Sequence, residues 1–459
     1  MDVDLVIRGG TIVTADGRSQ ADIGVRGEQI VAIGGDVTGA RELDARGLHV
    51  LPGAIDAHVH LTQVEPNPDG VDWADDFTSG SQAALAGGVT TVGNMCFLRP
   101  GESMHAGLAR EAALIREQAL ADVILHPVID DPRQEILDEI PTLVADGHTD
   151  IKFFMSMPAY DRDALGYLKA TELAGRNQML TLIHCEDYAL ITWSVERLLA
   201  EGRGALRYYP ESRPILSEVV ATQRAVALCE ATGAPVYIVH LSSAAALRVC
   251  QDAQSRGLPV YVETRPLYLH LTSVRFADAD GGKYVGQPPL REAADVAALW
   301  AGLASGAIHT VCTDHAPWTL EAKLDPALNV GNLRPGVENL QTMLPMLHDE
   351  GVLSGRISLE RLVALTATNV AKLFGLYPRK GTVAVGADAD LVLWDFNERR
   401  TIRSADMFSR AGHSIYDGRE VTGWPVATLR RGEVVYERGQ IKAPPGSGQL
   451  IPRGPARPL

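Results

Sequence analysis

The strongest constraint on the fold is a regular alternation of apolar runs and helical patterns through the middle of this 459-residue chain. The candidate strands are AIDAHVHL, TTVGNMCF, DVILHPVI, DIKFFMS, MLTLIHCE, PVYIVHLS, PVYVET and IHTVCTDHAP. Segments with helical periodicity, such as DRDALGYLKATELAGRN, separate them. Eight strands that alternate with helices indicate a parallel sheet closed as a (β/α)8 barrel. An open doubly wound sheet is the alternative, but no GxGxxG follows an early strand.

The two ends of the chain share a different pattern. DLVIRGGTIVT near the start and GTVAVGADADLVLWD near the end alternate apolar and polar residues between glycine breaks, as β-hairpins do. We therefore predict one small β-sandwich built from both termini, residues 1–52 and 376–442. The barrel is predicted to span residues 53–375. Residues 443–459, rich in proline and glycine, are predicted to form an extended tail.

Composition excludes several classes of function. The chain has 46% hydrophobic and 22% charged residues and a net charge of −15, and it lacks a lysine- and arginine-rich block, which argues against nucleic-acid binding. Its apolar runs fall short of the ~20 residues of a membrane helix, and its start does not resemble a signal peptide. Five scattered cysteines without CxxC indicate a reduced protein. We expect a cytoplasmic protein without a membrane partner.

Polar residues suited to metal binding follow several candidate strands. His58 and His60 in GAIDAHVHL are two positions apart, so both imidazoles face one side of a strand. His184, His240 and Asp314 end other strands, and barrel enzymes build their sites at that rim. Taken singly, each histidine is better explained as a polar residue at the edge of the core or a loop, and the aspartate could cap a turn. Together they predict ligands for two metal ions.

Lys152 lies within the apolar run DIKFFM. Burial penalises an ammonium group, and a cation would repel nearby metal ions. A neutral amine can instead react with carbon dioxide to give a carbamate, whose two oxygens can bridge two cations. The alternative is a lysine that extends its charged end from the barrel rim into solvent.

Motifs along nearly the whole chain carry a family resemblance. They are PGAIDAHVHL, IKFFM, IHCED, VHLSS, ETRPLYL, PPLR, TDHAP and GADADLVLWD. In this combination the chain resembles the cyclic amidohydrolases of the amidohydrolase superfamily, closest to the dihydropyrimidinase and hydantoinase group. The resemblance implies a homotetrameric hydrolase that opens a hydantoin- or dihydropyrimidine-like ring through a hydroxide bridging two metal ions. Allantoinase or another altered ring specificity stays open, whereas a non-catalytic scaffold is disfavoured because no metal ligand is missing.

The resemblance also implies roles for the six candidate ligands. One metal ion would be bound by His58, His60, Asp314 and the carbamate on Lys152, and the other by that carbamate, His184 and His240. Zinc fits these nitrogen and oxygen ligands, with manganese or cobalt as alternatives. Asp314 would accept the proton of the nucleophile and pass it to the leaving amide nitrogen.

Five further residues are predicted to contact the substrate or its surroundings. Met157 occupies the position of an oxyanion-binding tyrosine in the resembling enzymes, and a thioether cannot donate a hydrogen bond. Tyr160 could supply the missing hydroxyl. Gln287 replaces a serine before PPLR, and Asn332 in NLRPG matches the asparagine of an NGxPG loop. His315 is predicted to contact the substrate or support the metal ligands, with simple packing as the alternative.

Two features near the first strand bear on the substrate. Thr62 stands where dihydroorotases carry a carboxylate-binding arginine, which argues against dihydroorotate. The loop TQVEPNPDGVDWADD, residues 62–76, is interpreted as a lid or specificity loop, with a solvated surface loop as the alternative. Trp73 within it resembles the allantoinases.

Overall fold

The computed structural model describes residues 1–63 and 70–459, so residues 64–69 of the predicted lid loop lie outside the described residues. The strands in the described part are β1 (Asp2–Thr14), β2 (Gly17–Arg26), β3 (Gln29–Ile33), β4 (Thr38–Asp44), β5 (His49–Pro52), β6 (Ala54–Val59), β7 (Val89–Cys96), β8 (Asp122–Pro127), β9 (Asp150–Phe154), β10 (Leu180–His184), β11 (Val236–Ile238), β12 (Val260–Thr264), β13 (Thr310–Val311), β14 (Leu391–Thr401), β15 (Glu420–Arg430), β16 (Glu433–Glu437) and β17 (Gln440–Ile441). The α-helices are α1 (Phe77–Ala86), α2 (Met104–Gln118), α3 (Gln134–Leu143), α4 (Pro158–Arg162), α5 (Ala164–Arg176), α6 (Tyr188–Ala200), α7 (Tyr209–Ser212), α8 (Ile215–Thr232), α9 (Ala244–Ser255), α10 (Pro266–His270), α11 (Ala293–Ser305), α12 (Leu320–Lys323), α13 (Met343–Leu347), α14 (Leu359–Val363) and α15 (Asn369–Leu373).

Strands β6 to β13 form a closed parallel barrel. They pair in the order β6-β7-β8 and β9-β10-β11-β12-β13. A parallel bridge between Val128 and Lys152 joins the two groups on one side. On the other side Val59 bridges His315, and the His60 amide donates to the His315 carbonyl at 2.8 Å. The predicted (β/α)8 barrel is confirmed, and each of its strands falls within a candidate run except β7, which begins one residue before its run.

The local sequence explains the elements of the barrel. Every residue of β6, β7 and β8 is buried, as expected for strands covered on both faces. Helix α1 begins after Asp76, whose carboxylate accepts the amides of Thr78 and Ser79. Helix α8 ends at Gly233, whose φ of 69° favours glycine. These caps direct each helix back across the outside of the barrel.

The terminal segments meet in one nine-stranded sheet with the order β17-β16-β15-β14-β5-β1-β2-β3, and β4 pairs with β1. The two ends join where β14 pairs antiparallel with β5, with Leu391 opposite Pro52. Side chains from both ends, including Ile12, Val50 and Leu393, fill the core of this unit. The predicted sandwich of N- and C-terminal segments is confirmed, whereas the exact domain boundaries stay a prediction.

The C-terminal tail runs along the end of the barrel opposite the predicted metal ligands. The Val123 amide donates to Gln449 and the Ile451 amide to the Val123 carbonyl, both at 2.8 Å. Arg453 is 5% exposed and forms an ion pair with Asp150 at the start of β9. Across the described residues, none of the helices combines the length and apolarity needed to cross a membrane.

Candidate active site

The structure brings the six predicted metal ligands to the carboxyl ends of five barrel strands. His58 lies in β6, Lys152 in β9 and His184 at the end of β10, while His60, His240 and Asp314 follow β6, β11 and β13 within a few residues. All six are buried. His240 and Asp314 have positive φ, 39° and 50°, which costs a non-glycine residue roughly 1 kcal/mol or more. The backbone turn at both strand ends is therefore stabilised by surrounding contacts.

His58, His60 and Asp314 converge on one point. The Nε2 atoms of His58 and His60 lie 3.2 Å and 3.0 Å from Oδ1 of Asp314. One ligand atom from each of the three lies within 4.8 Å of the others, a spacing that accommodates a cation. Burial lowers the pKa of His58, which favours the neutral, metal-binding imidazole.

His184 and His240 form a second group beside the first. Their ring centroids are 4.5 Å apart, and the His240 ring lies 5.4 Å from that of His58. Burial lowers the pKa of both rings, well below the ordinary value for His240. The two groups thus share one buried set of neutral nitrogen ligands.

Lys152 is an orphaned amine whose charge adds to burial in lowering the pKa of histidines in both groups, His58, His184 and His240. Its side chain is fully buried, and Nζ makes no hydrogen bond. Nζ lies 4.7 Å from the ring centroid of Phe154. Burial lowers the pKa of the amine to about 8, so about a tenth of it is neutral at pH 7. An unpartnered buried amine of this kind fits carbamate formation and the two-metal ligand set.

Two glutamates behind the histidines were not predicted from the sequence. Glu263 Oε1 lies 2.8 Å from Nδ1 of His58, and Glu186 Oε2 lies 2.8 Å from Nε2 of His184. Each contact fixes the ring orientation and leaves the other ring nitrogen for a cation. Arg213 pairs with Glu186 at 2.6 Å and holds its pKa at about 2 against the effect of burial. The sequence signal that could have identified them is an acid close to a strand end, Glu186 in IHCED and Glu263 in VYVET.

Comparisons with known proteins identify the family. A model of the amidohydrolase family matches residues 49–435. A D-hydantoinase from Ralstonia pickettii is 37% identical over 459 residues, covering 98% of this chain and 99% of the relative. The solved D-hydantoinase of Bacillus sp. AR9 has a TM-score of 0.95 at 36% identity, and the dihydropyrimidinase of Brevibacillus agri NCHU1002 has 0.93 at 35%, each covering 98% of this chain and 99% of its own. This chain belongs to the amidohydrolase family.

Within the amidohydrolase family, these relatives confirm the predicted group, the cyclic amidohydrolases of the hydantoinase and dihydropyrimidinase type. The likeness also extends to an L-hydantoinase from Arthrobacter aurescens, at 30% identity and a TM-score of 0.90, with 98% of this chain and all of that chain covered. The same relatives confirm the prediction that this chain is a hydrolase acting on cyclic amides. The individual residue roles stay predictions.

The amidohydrolase cavity above the six ligands has a volume of about 290 Å³, close to the lower end for small-molecule sites. Its walls include the aromatic rings of Trp73, Phe97 and Phe154. Neither lysine nor arginine occurs among the described residues that line it. The cavity therefore suits a compact ligand that offers apolar surface to these rings and carries no negative charge.

The structure places the predicted substrate contacts unevenly. Met157, which is 48% exposed, and Gln287 line the cavity. Tyr160 packs its buried ring at 5.9 Å from Phe153 and lies outside the described lining, because Pro158 starts α4 and turns the chain away. A hydroxyl from Tyr160 at the oxyanion position stays a prediction without support from this geometry.

The two remaining predicted contacts lie beside or behind the cavity. Asn332 is exposed, and its Oδ1 accepts the Asn329 amide at 2.6 Å; Gly336 of the same segment lines the cavity instead. His315 is fully buried, and its Nε2 lies 2.9 Å from Oδ2 of Asp75. His315 thus supports the loop before α1, and a direct substrate contact stays a prediction.

Arg265 is a further residue at the site that was not predicted from the sequence. It follows β12, has no exposed surface and directs Nη1 to within 3.0 Å of Asp314 Oδ2. Burial opposes ionisation of Asp314, yet Arg265 and the two neighbouring imidazoles hold its pKa well below the usual value. The carboxylate is therefore available as a negatively charged ligand.

Proposed function

We propose that this amidohydrolase hydrolyses the cyclic amide bond of a hydantoin- or dihydropyrimidine-like ring with the help of two divalent cations. The observation that carries the proposal is that five buried ligands line one cavity and that an unpartnered buried lysine lies close enough to add to burial in lowering the pKa of His58, His184 and His240. One cation would be bound by His58, His60, Asp314 and a carbamate on Lys152, and the other by that carbamate, His184 and His240. The nitrogen and oxygen atoms of this set suit zinc.

When bound, such cations activate water near neutral pH and polarise the amide carbonyl. The chain's own residues then orient the ring and move one proton. The Asp314 carboxylate faces the two imidazoles, so it can accept a proton from the attacking water and pass it to the leaving nitrogen. Met157 cannot donate a hydrogen bond to the oxyanion. Gln287, which lines the cavity, offers an amide donor for that purpose.

The cavity also limits the substrate. Dihydroorotate carries a carboxylate, and no lysine or arginine of the described lining would pair with it. Allantoin stays a second candidate because Trp73, the residue shared with that subgroup, lines the cavity. A homotetramer is proposed from the family resemblance alone, and a cytoplasmic location is proposed from the scattered cysteines of the sequence.

A substrate panel with metal analysis tests the proposal. The purified enzyme would be loaded with zinc in bicarbonate buffer and given hydantoin, dihydrouracil, allantoin, dihydroorotate and succinimide, and ring opening would be followed by loss of absorbance. We expect turnover of hydantoin or dihydrouracil and none of dihydroorotate. A preparation that holds two zinc ions per chain and opens none of these rings would contradict the proposed reaction.

A further inference from the structure

The guanidinium of Arg265 has an unusual set of contacts for a buried cation near a metal site. Nε donates to the Thr313 carbonyl at 3.0 Å, and Nη2 reaches the Asp314 carbonyl at 3.5 Å. Nη1 lies 3.0 Å from Oδ2 of Asp314. One side chain therefore contacts the backbone and the carboxylate of the residue that has a φ of 50°.

The two oxygens of Asp314 have different neighbours. Oδ1 lies 3.0 Å and 3.2 Å from the Nε2 atoms of His60 and His58, whereas Oδ2 faces Arg265. The chain also leaves space for the guanidinium: a Cβ atom on Gly286 would lie 2.9 Å from Nη1. Nη1 pairs with Oδ2 by charge, without a hydrogen bond, while Nε and Nη2 contact the backbone, so a guanidinium that fills a matched space favours one orientation of the carboxylate.

We propose that Arg265 is a positioning residue that fixes Asp314 as a one-oxygen ligand. It holds Oδ2 away from the cation that His58 and His60 would bind and stabilises the backbone turn at Asp314. The inference rests on the proposed function, because the cation is part of that proposal. Without the guanidinium, Oδ2 would be free to rotate toward the cation, and Asp314 would lose the orientation it needs for proton transfer.

The test compares Arg265→Gln and Arg265→Lys with wild type. Zinc affinity is measured by competition with a chromophoric chelator, and kcat and KM are measured on the best substrate of the panel. We expect zinc affinity to change on the order of tenfold in Arg265→Gln and kcat to fall more than KM rises. Lysine retains the charge without the fork, so Arg265→Lys should recover part of kcat.

A matched control is Arg291→Gln. Arg291 is also a buried arginine, but it donates to Ser242 Oγ and the Arg213 carbonyl and contacts none of the six ligands. The Arg291→Gln variant should have a lower thermal stability than wild type but the same zinc affinity. If Arg265 variants fail to fold, Gly286→Ala presses on Nη1 and should shift zinc affinity in the same direction.

Wild-type zinc affinity and an unchanged kcat in Arg265→Gln would overturn the positioning role, as would an equal effect of Arg291→Gln. The failure of the proposed function is distinguishable from this result. If wild type opened no ring, the zinc competition would still decide whether Arg265 orients the ligand, because that measurement needs no substrate.

A second observation concerns Asp130, which follows β8 and lines the same cavity. Its carboxylate makes no hydrogen bond or ion pair within the described residues, and only its backbone carbonyl is used, by the Tyr167 hydroxyl at 3.0 Å. Asp130 is an exposed residue at the cavity wall, although the atoms packed around its carboxyl raise the pKa to about 6. An unpaired acid that shares a cavity wall with Trp73 and Phe154 can attract a cation, since aromatic faces and carboxylates both attract positive charge.

From this arrangement we infer that the preferred ring carries a substituent with a positively charged end, such as an aminoalkyl group. This inference also rests on the proposed function. The probe pair is 5-(4-aminobutyl)hydantoin and 5-pentylhydantoin, which differ mainly in charge. Wild type should have a higher kcat/KM for the aminobutyl compound than for the pentyl compound. Asp130→Asn should lower the ratio of these two kcat/KM values about fivefold, the size expected for an exposed ion pair.

Asp131→Asn is the control, because Asp131 is the neighbouring exposed acid and lies 3.9 Å from Arg133. It should leave the ratio unchanged. Equal ratios in wild type and Asp130→Asn would overturn the inference about the substituent. If no variant hydrolyses either hydantoin and wild type also opens none of the rings in the panel, the proposed function is contradicted instead.

Discussion

Replacement of Glu263 by glutamine tests how the chain supports its metal ligands. Glu263 is fully buried, and Oε1 lies 2.8 Å from both Nδ1 of His58 and the amide of His240. Glutamine keeps the shape and one accepting oxygen but removes the negative charge that increases the basicity of His58. Loss of such a partner weakens metal binding about 10- to 100-fold, which corresponds to about 1.4–2.7 kcal/mol.

The alanine variant separates this effect from folding. Glu263→Ala would leave the His58 ring and the His240 amide without an acceptor, at about 1–3 kcal/mol each, so we expect a loss of roughly 2–6 kcal/mol of stability. Tyr237, the third partner, keeps its contact with Thr310 at 2.6 Å. Glu263→Gln should therefore fold normally while Glu263→Ala loses a large part of the stability of a typical domain.

Zinc competition and urea denaturation provide the assay, and Glu218→Gln is the control. Glu218 is a similarly buried acid that accepts the Ser242 amide at 2.6 Å and touches none of the six ligands. Only Glu263→Gln should weaken zinc binding. The reasoning is refuted if Glu263→Gln binds zinc as tightly as wild type, or if both variants weaken it equally.

Three further predictions follow from named contacts. Lys152→Ala should lose nearly all activity and bind fewer than two zinc ions, and added short-chain carboxylic acids should restore part of the activity by replacing the carbamate; full activity without them would rule out the carbamate. Burial, aided by Asp75, raises the pKa of Glu338 to about 8, so the protonated form is favoured in the folded state and stability falls as pH rises from about 4.5 to about 8. Glu338→Gln should therefore raise the melting temperature at pH 8.5 by an amount that shrinks toward pH 5, and an equal gain at both pH values would contradict this. Arg453→Ala would leave buried Asp150 without its ion pair, and we expect a loss of about 3–5 kcal/mol in urea denaturation, against almost none for the exposed Arg457→Ala.

The barrel was predictable because its signal repeats along the chain. Seven of the eight strands lie within the predicted apolar runs, and β7 begins one residue before its run. His58, Lys152 and His184 lie in these strands, where the strand pattern and the barrel topology together predict side chains at the same rim. The predicted runs were longer than β11 and β13, since the chain leaves the strand before His240 and Asp314. Positive φ at these two residues is imposed by neighbouring contacts, which a single sequence does not display.

The supporting residues were not predictable in the same way. Glu263 and Arg265 follow one another closely at the end of β12, but strand position alone does not tell which histidine or carboxylate each one will contact. Tyr160 stays a prediction of the opposite kind: its position three residues after Met157 suggested a hydroxyl at the cavity, and its ring packs against Phe153 through α4, a contact that the spacing does not reveal. The anchored tail around Arg453 depends on contacts more than 300 positions away in sequence, which proline and glycine content cannot reveal.

The most direct test of the central claim is to count cations and carbon dioxide on the intact enzyme. Native mass spectrometry of the zinc-loaded protein in bicarbonate buffer, together with elemental analysis, would report both. The account predicts two zinc ions per chain and one added carbon dioxide that disappears in Lys152→Ala. One or no zinc ion per fully loaded chain, or a Lys152 that carries no added mass while activity is complete, would contradict it.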